Sequence, residues 1–280
     1  MFNNIIEPEK IKNFPDKISE CQLKINPIEK KRKFKVEVYD HDVKIIIEEN
    51  TTIKKPRKGG GLKKSITKFS KKSSKNLKFH MNNTKNRFSN MITLTYPSEY
   101  SNNGIEIKYH LNRFTKFLKL KKCEYTWIIE FQKRGAPHFH LLTDTYIDKK
   151  EVSQVWYDIV NSGDEKHLVA GTKCERLRVG HIGAKSYVRK YINKSDQKEV
   201  PEEYKNVGRF WGKSETEYNK ETLEIDQEET INIKAKYELF LRNVIKPKKD
   251  EELDFNWLYD SKIVILWNYR KQVLQELKTG

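Results

Sequence analysis

The chain has 280 residues, 36% hydrophobic and 34% charged, with a formal net charge of +17 and a mean hydropathy of -0.85. No apolar run approaches the roughly 20 residues a bilayer-spanning helix needs. Glu7 and Glu9 stand where a secretion signal would be apolar, so a cytoplasmic protein without membrane association is expected. The positive surplus implies a polyanionic partner, and nucleic acid is favoured over an anionic membrane surface. This length accommodates one large domain, or a core domain with appendages. Cys21, Cys123 and Cys174 are odd in number and contain no C-x-x-C pair, which argues against a disulfide framework and for buried thiols in a reducing compartment.

In chain order, Lys33–Tyr39 and Val43–Glu48 flank Asp40-His41-Asp42 and predict a hairpin within an N-terminal segment, 1–50. His41 is expected to be a surface turn residue. Residues 51–90 carry 13 Lys/Arg and no Asp or Glu, while the rest of the chain holds 43 basic against 39 acidic residues. Residues 51–87 therefore read as a basic DNA-binding arm gripping through Lys63, Lys64, Lys71 and Lys72, or alternatively as a solvated linker. Leu62, Ile66 and Phe69 have helical spacing, so a narrow apolar edge could dock part of it as a helix.

From residue 88 to 214 the pattern is dense. Met91–Tyr96 alternates and stops at Pro97, a strand; Ile107, Leu111, Phe114 and Leu118 mark an amphipathic helix. Tyr125–Phe131 and His138–Leu142, joined through Gly135 and Pro137, predict an antiparallel hairpin. Asp148 and Glu151 begin a second helix carrying Val152, Val155, Trp156 and Ile159. Arg176–Val179 is β-like, and a helix starts near Gly183. This order predicts an α+β sandwich with a mainly antiparallel sheet and helices on one face. Residues 215–229, with seven acidic residues and one lysine, read as a linker or charged helix. Ile231–Val244 and Ser261–Leu277 read as helices anchored by Trp257 and Trp267, giving a C-terminal helical appendage over 215–280.

Two constellations carry chemistry. Strand side chains alternate, so His138 and His140 share one face, and Glu130 lies eight residues earlier on the partner strand of the same hairpin. Two imidazoles and a carboxylate suit Mn²⁺ or Mg²⁺ with phosphate oxygens completing the shell. The competing reading is a pair of half-exposed histidines on a hairpin. Tyr187 and Tyr191, at i and i+4, share a helix face with Lys190 and Lys194 nearby, and Val188 and Ile192 form a separate apolar stripe. Such a pair is commonly a packing ridge. Beside a metal-polarised phosphate and lysines it becomes a pair of candidate nucleophiles.

The ordered motifs Ile92-Thr-Leu-Thr-Tyr-Pro97, Pro137-His-Phe-His-Leu141 and Tyr187-Val-Arg-Lys-Tyr-Ile-Asn-Lys194 resemble those of the HUH (His-hydrophobe-His) endonucleases, in particular rolling-circle replication initiators of plasmids and small phages. Val207-Gly-Arg-Phe-Trp-Gly212 is similar to the segment that follows the tyrosine helix in plasmid-type members. The resemblance implies a ferredoxin-like core with a five-stranded antiparallel sheet and flanking helices over 88–214. It also implies metal binding by His138 and His140 with Glu130 as third ligand, and attack by Tyr187 or Tyr191 to leave a 5′-phosphotyrosine and a free 3′-OH. Lys190 matches the motif lysine, and Arg134 and Lys194 are expected to touch DNA. The implied partners are single-stranded or origin DNA and a host helicase and polymerase. Gly208–Ser214 has three residues between its glycines where a phosphate loop needs four, so no fused helicase is expected. A relaxase or single-strand transposase with the same chemistry, or a non-catalytic DNA-binding regulator, are the alternatives.

Overall fold

The computed structural model describes residues 32–49, 66, 69–193, 200–245 and 253–279. The first hairpin is β1 (Arg32–Val38) and β2 (Val43–Glu49), with Val38 opposite Val43. Helix α1 (Lys71–Asn83) begins at Ser70, whose side chain accepts from the Ser73 amide and satisfies one of the donors a helix start leaves open. The apolar edge expected earlier in the basic segment does not make this helix. Leu62 lies outside the described residues, Ile66 is exposed, and α1 buries Leu77 and Met81 one and two turns further on.

The middle of the chain gives β3 (Asn90–Thr95), α2 (Gly104–Leu120), β4 (Tyr125–Phe131), β5 (Pro137–Thr143), α3 (Lys149–Val160), α4 (Glu165–Ala170), β6 (Thr172–Arg176), α5 (Gly180–Asn193) and β7 (Trp211–Lys213). Five strands pair antiparallel in the order β6-β3-β5-β4-β7, which puts β5 at the centre. The α+β class and the five-stranded antiparallel sheet agree with the sequence reading. The helices, however, lie on both faces of the sheet. Ile92, Leu94, Ile129, Phe139 and Leu141 point into a core with α2 and α3, where Phe114 and Trp156 are fully buried. On the other face Met91, Ile128 and Leu142 meet Leu77 and Met81 of α1 and Ala184 and Val188 of α5. A one-sided arrangement would have left that second apolar set in water.

The C-terminal part is less helical than its sequence suggests. It contains β8 (Glu221–Ile225) inside the acidic stretch, then α6 (Gln227–Val244), α7 (Asn256–Asp260), β9 (Ile263–Leu266) and α8 (Arg270–Thr279). β8 pairs with β1 and β9 with β2, so the N-terminal hairpin becomes the centre of a four-stranded sheet, β8-β1-β2-β9. A lone two-stranded hairpin exposes two unpaired edges and is marginal by itself, and chain from the far end of the sequence covers both edges. Leu258 is the buried anchor of α7 and neighbouring Trp257 is 43% exposed. Trp267 instead lies under the Lys78 ammonium, 4.2 Å from its ring centroid.

Helix α1 joins the two sheets. Asp42, at the β1–β2 turn and fully buried, accepts from the side-chain amides of Asn82 and Asn83 and from the Asn268 backbone amide. The turn amide of His41 donates to Asn83 Oδ1. His80, also buried, sits 2.7 Å from Thr126 Oγ1 of β4 and 3.1 Å from the Tyr218 hydroxyl. Removing the carboxylate in Asp42→Ala strands several buried donors and is expected to lower unfolding free energy by about 3 kcal/mol, measured by urea denaturation.

Burial pushes the His80 imidazole from its usual 6.5 down to about 3, and burial likewise holds His138 and His181 at about 4. The unfolded chain takes up these protons near pH 6.5 and the folded one only far below, so the stability they allow is full above that value and is lost as the pH falls. The thermal midpoint should therefore drop as pH is lowered from neutral towards 4, less steeply in His80→Gln. A flat profile would contradict this account.

Candidate active site on the central sheet

The second face of the five-stranded sheet is built in rows. Met91 and Leu142 form a covered apolar row; next come Thr93, His140 and Ile128, directly opposite one another on β3, β5 and β4; then Thr95, His138 and Glu130. Alternation makes Phe139 and Leu141 face the α2–α3 core, and the same alternation turns both histidines the other way.

Each imidazole is held from the side. Thr95 Oγ1 lies 3.1 Å from His138 Nδ1, and Thr93 Oγ1 lies 3.3 Å from His140 Nδ1. A hydroxyl both donates and accepts; when Nδ1–H donates to it, the lone pair is left on Nε2. Gln132 Nε2, at 3.4 Å from His138 Nδ1, is a weaker contact. The backbone behind Thr95 is itself fixed: its carbonyl accepts from Trp156 Nε1 at 2.8 Å and lies 2.8 Å from His167 Nε2, while its amide donates to Gly171. These threonines are the positioning residues that the sequence reading did not assign. Their signal was present in Ile92-Thr-Leu-Thr95, whose alternation puts both hydroxyls on one face.

The two imidazole centroids are 4.5 Å apart, and His140 Nε2 is 3.1 Å from Glu130 Oε2. Burial lowers His138 to about 4, against the opposing pull of Glu130, so this ring is neutral near pH 7. Two imidazoles and a carboxylate on one open face are a donor set that fits a divalent cation. Among the described residues, no group of three His, Cys, Asp or Glu side chains is already gathered to hold one. Glu130 is turned onto His140 here.

Helix α5 brings Tyr187 to this row. It leaves β6 through Val179 and Gly180, both at positive φ, 62° and 52°, a conformation uncommon for a β-branched residue. The helix begins at Gly180, three residues before the expected start. Gly183 is required because the Arg178 carbonyl occupies the space a Cβ would need. Val188 and Ala184 are buried against the sheet, and the partly exposed Tyr187 ring packs edge-on against His140 with centroids 5.4 Å apart. Lys190 Nζ stands 5.2 Å from the Tyr187 ring centroid.

The other expected site residues separate into three groups. Lys71 and Lys72 are exposed in the first turn of α1, away from the histidine rows. Lys63, Lys64, Lys194 and the Tyr191 side chain lie outside the described residues. Arg134 has a different task from the DNA contact expected of it. Its guanidinium donates to the carbonyls of Tyr96, Pro97 and Ser98 and to Gln132 Oε1, and it covers the Tyr100 ring, tying the β4–β5 turn to the loop after β3. The cysteines behave as buried thiols where described: burial pushes Cys123 up to about 12 and Cys174 up to about 11.

No helix among the described residues is long and apolar enough to cross a membrane. No curated protein and no solved structure matches the chain. Residues 89–196, which span β3 to the end of the tyrosine helix and include both histidines, Glu130 and Tyr187, match the family described as Replication-associated protein ORF2/gene 2 protein. On that match, this stretch of the chain belongs with the replication-associated proteins.

Proposed function

We propose that the chain is a metal-dependent endonuclease of the HUH type that nicks and rejoins one DNA strand at an origin and so starts rolling-circle replication. The observation that carries this reading is the packing of Tyr187 against His140, on the sheet face that also holds His138 and Glu130. A phenol placed on a bare apolar ridge would support no such step. Placed 5.4 Å from a candidate metal-binding imidazole, it stands where a phosphate bound to that site would meet it.

His138, His140 and Glu130 would hold Mn²⁺ or Mg²⁺, which when bound polarises the scissile phosphate. Thr95 and Thr93 orient the two imidazoles so that Nε2 is the donor. Tyr187 Oη attacks phosphorus; a P–Oη bond forms as the P–O3′ bond breaks, the phenol loses its proton and the 3′ oxygen gains one. The products are a 5′-phosphotyrosine and a 3′-OH, which a host polymerase extends while a host helicase opens the duplex. Lys190 supplies positive charge beside the phenol, where anionic character develops in the attack. Tyr191, one turn on, would act in the reverse or second transfer.

Two measurements test this reading. Wild-type protein mixed with single-stranded origin DNA and Mn²⁺ should give a covalent adduct resistant to denaturing electrophoresis, and Tyr187→Phe should abolish or strongly reduce it. Full adduct formation in the Tyr187→Phe/Tyr191→Phe double variant would overturn the mechanism, and absence of any adduct in the wild type would favour a binding module. The Thr93→Val/Thr95→Val variant keeps the ligands and removes their orienting hydroxyls, so Mn²⁺ affinity by calorimetry should fall by about 10- to 100-fold.

A further inference from the structure

Beyond the histidine rows, a cavity of about 970 Å³ opens at the β7 edge of the five-stranded sheet, between the start of α1, helix α2 and the segment Val207–Glu215. It is within the range of sizes that take organic ligands. Its lining includes Lys72, Lys108, Arg209 and Lys213 against one acidic residue, Glu215, together with the aromatic side chains of Trp127 and Trp211. The Gly208–Ser214 stretch, which is not a phosphate loop, forms one wall.

Lys108 is the informative side chain. It projects from α2, is partly buried, and has its ammonium 4.0 Å from the Trp127 ring centroid. One N–H donates to the Arg209 carbonyl at 2.5 Å. An ammonium carries three donors, and among the described residues no carboxylate lies within ion-pair distance of this one. Burial, reinforced by the Arg209 charge, lowers its pKa from 10.5 to about 7. A partly desolvated cation held by a π-face and a carbonyl, with further cations around it, is costly unless an anion joins it. Gly212 belongs to the same construction: a Cβ there would come within 2.7 Å of the Trp127 indole, so only glycine lets β7 lie flat against the ring that carries the ammonium.

The position is equally informative. Trp211 is directly opposite Ile128, and Ile128 directly opposite His140, so the cavity rim and the histidine row are two strands apart, roughly 10 Å. The start of α1, with Ser70, Lys72 and Ser73 in the lining, adds the positive end of a helix of 13 residues.

We propose that this cavity is a second binding site for the phosphodiester backbone of single-stranded DNA, with Lys108 and Arg209 as its phosphate contacts, holding the strand beside the cleavage site. The inference rests on the reading of the protein as one that acts on DNA and assigns where the uncut part of the strand is held. A strand crossing the sheet from His140 towards β7 reaches the cavity without leaving the protein surface, and the lysines give it a charge-matched seat.

The test measures binding of a short oligothymidylate by fluorescence anisotropy in EDTA, where no cutting occurs. Lys108→Gln is expected to weaken binding by about tenfold, and Lys108→Arg to recover most of the loss. The exposed Arg209→Gln should flatten the dependence of log K on log salt by about one phosphate contact. Unchanged affinity in Lys108→Gln overturns the proposal. Equal losses in Lys108→Gln and Lys108→Arg also overturn it, since packing rather than charge would then be responsible. A free deoxynucleoside monophosphate is the second probe: if it binds as tightly as the oligonucleotide and with the same dependence on Lys108, the cavity is a nucleotide pocket and the strand assignment fails. Failure of the nicking reading is separable, because it appears as absence of the covalent adduct in wild-type protein whatever these affinities are.

Discussion

The in-register pairing of β3, β5 and β4 is the constraint on which the site depends. Side chains on a strand alternate, so three paired strands offer each face a grid whose rows are set by register. With His140 opposite Thr93 and His138 opposite both Thr95 and Glu130, one row supplies a ligand pair with its orienting hydroxyl and the next supplies another. A slip of one residue would turn both histidines into the α2–α3 core and bring Phe139 and Leu141 into water. Burial of those two residues, both fully enclosed, is thus what aims the imidazoles.

The same face is divided between packing and chemistry. Where α1 and α5 cross it, Met91, Ile128 and Leu142 are sealed; beyond them the rows stay open. Helix α5 serves both regions, since Ala184 and Val188 grip the apolar end and Tyr187 reaches the first histidine row. The partition explains why a tyrosine on this helix is neither in the core nor in open solvent. Helix α1 is likewise shared. It lies under the central sheet through Leu77 and Met81 and is clasped on its far end by the β1–β2 turn through Asn82 and Asn83. The basic stretch of the sequence therefore does not end as a free arm: its last turns are built into the junction of the two sheets, with Lys71 and Lys72 left exposed at the start of the helix.

Much of the central fold could be read along the chain because its signals are local. Period-two alternation in Met91–Tyr96 and Tyr125–Phe131, the four-three-four spacing of Ile107, Leu111, Phe114 and Leu118, and the Asp148 cap each act within a few residues, and the elements form where they predict. The His-x-His spacing and the i, i+4 tyrosines identified two halves of a candidate site for the same reason. Arg134 shows the limit of such reading. A lone arginine in a turn beside a candidate DNA site invites a DNA contact, yet three carbonyls from a loop more than thirty residues earlier in the chain take its donors.

What the sequence alone determined is the set of local periods, the charge imbalance and the pairing of His138, His140 and Glu130 on one hairpin face, since all of these follow from strand and helix geometry within short stretches. Only the tertiary structure decided how distant stretches meet. It set Thr93 and Thr95 against the imidazoles and Tyr187 against His140, and it recruited β8 and β9 from the C-terminal part to close the edges of an N-terminal hairpin. Those contacts join residues tens to more than two hundred positions apart. They arise because apolar faces and unpaired strand edges must find partners wherever the chain supplies them, and that requirement leaves no periodic trace in the sequence.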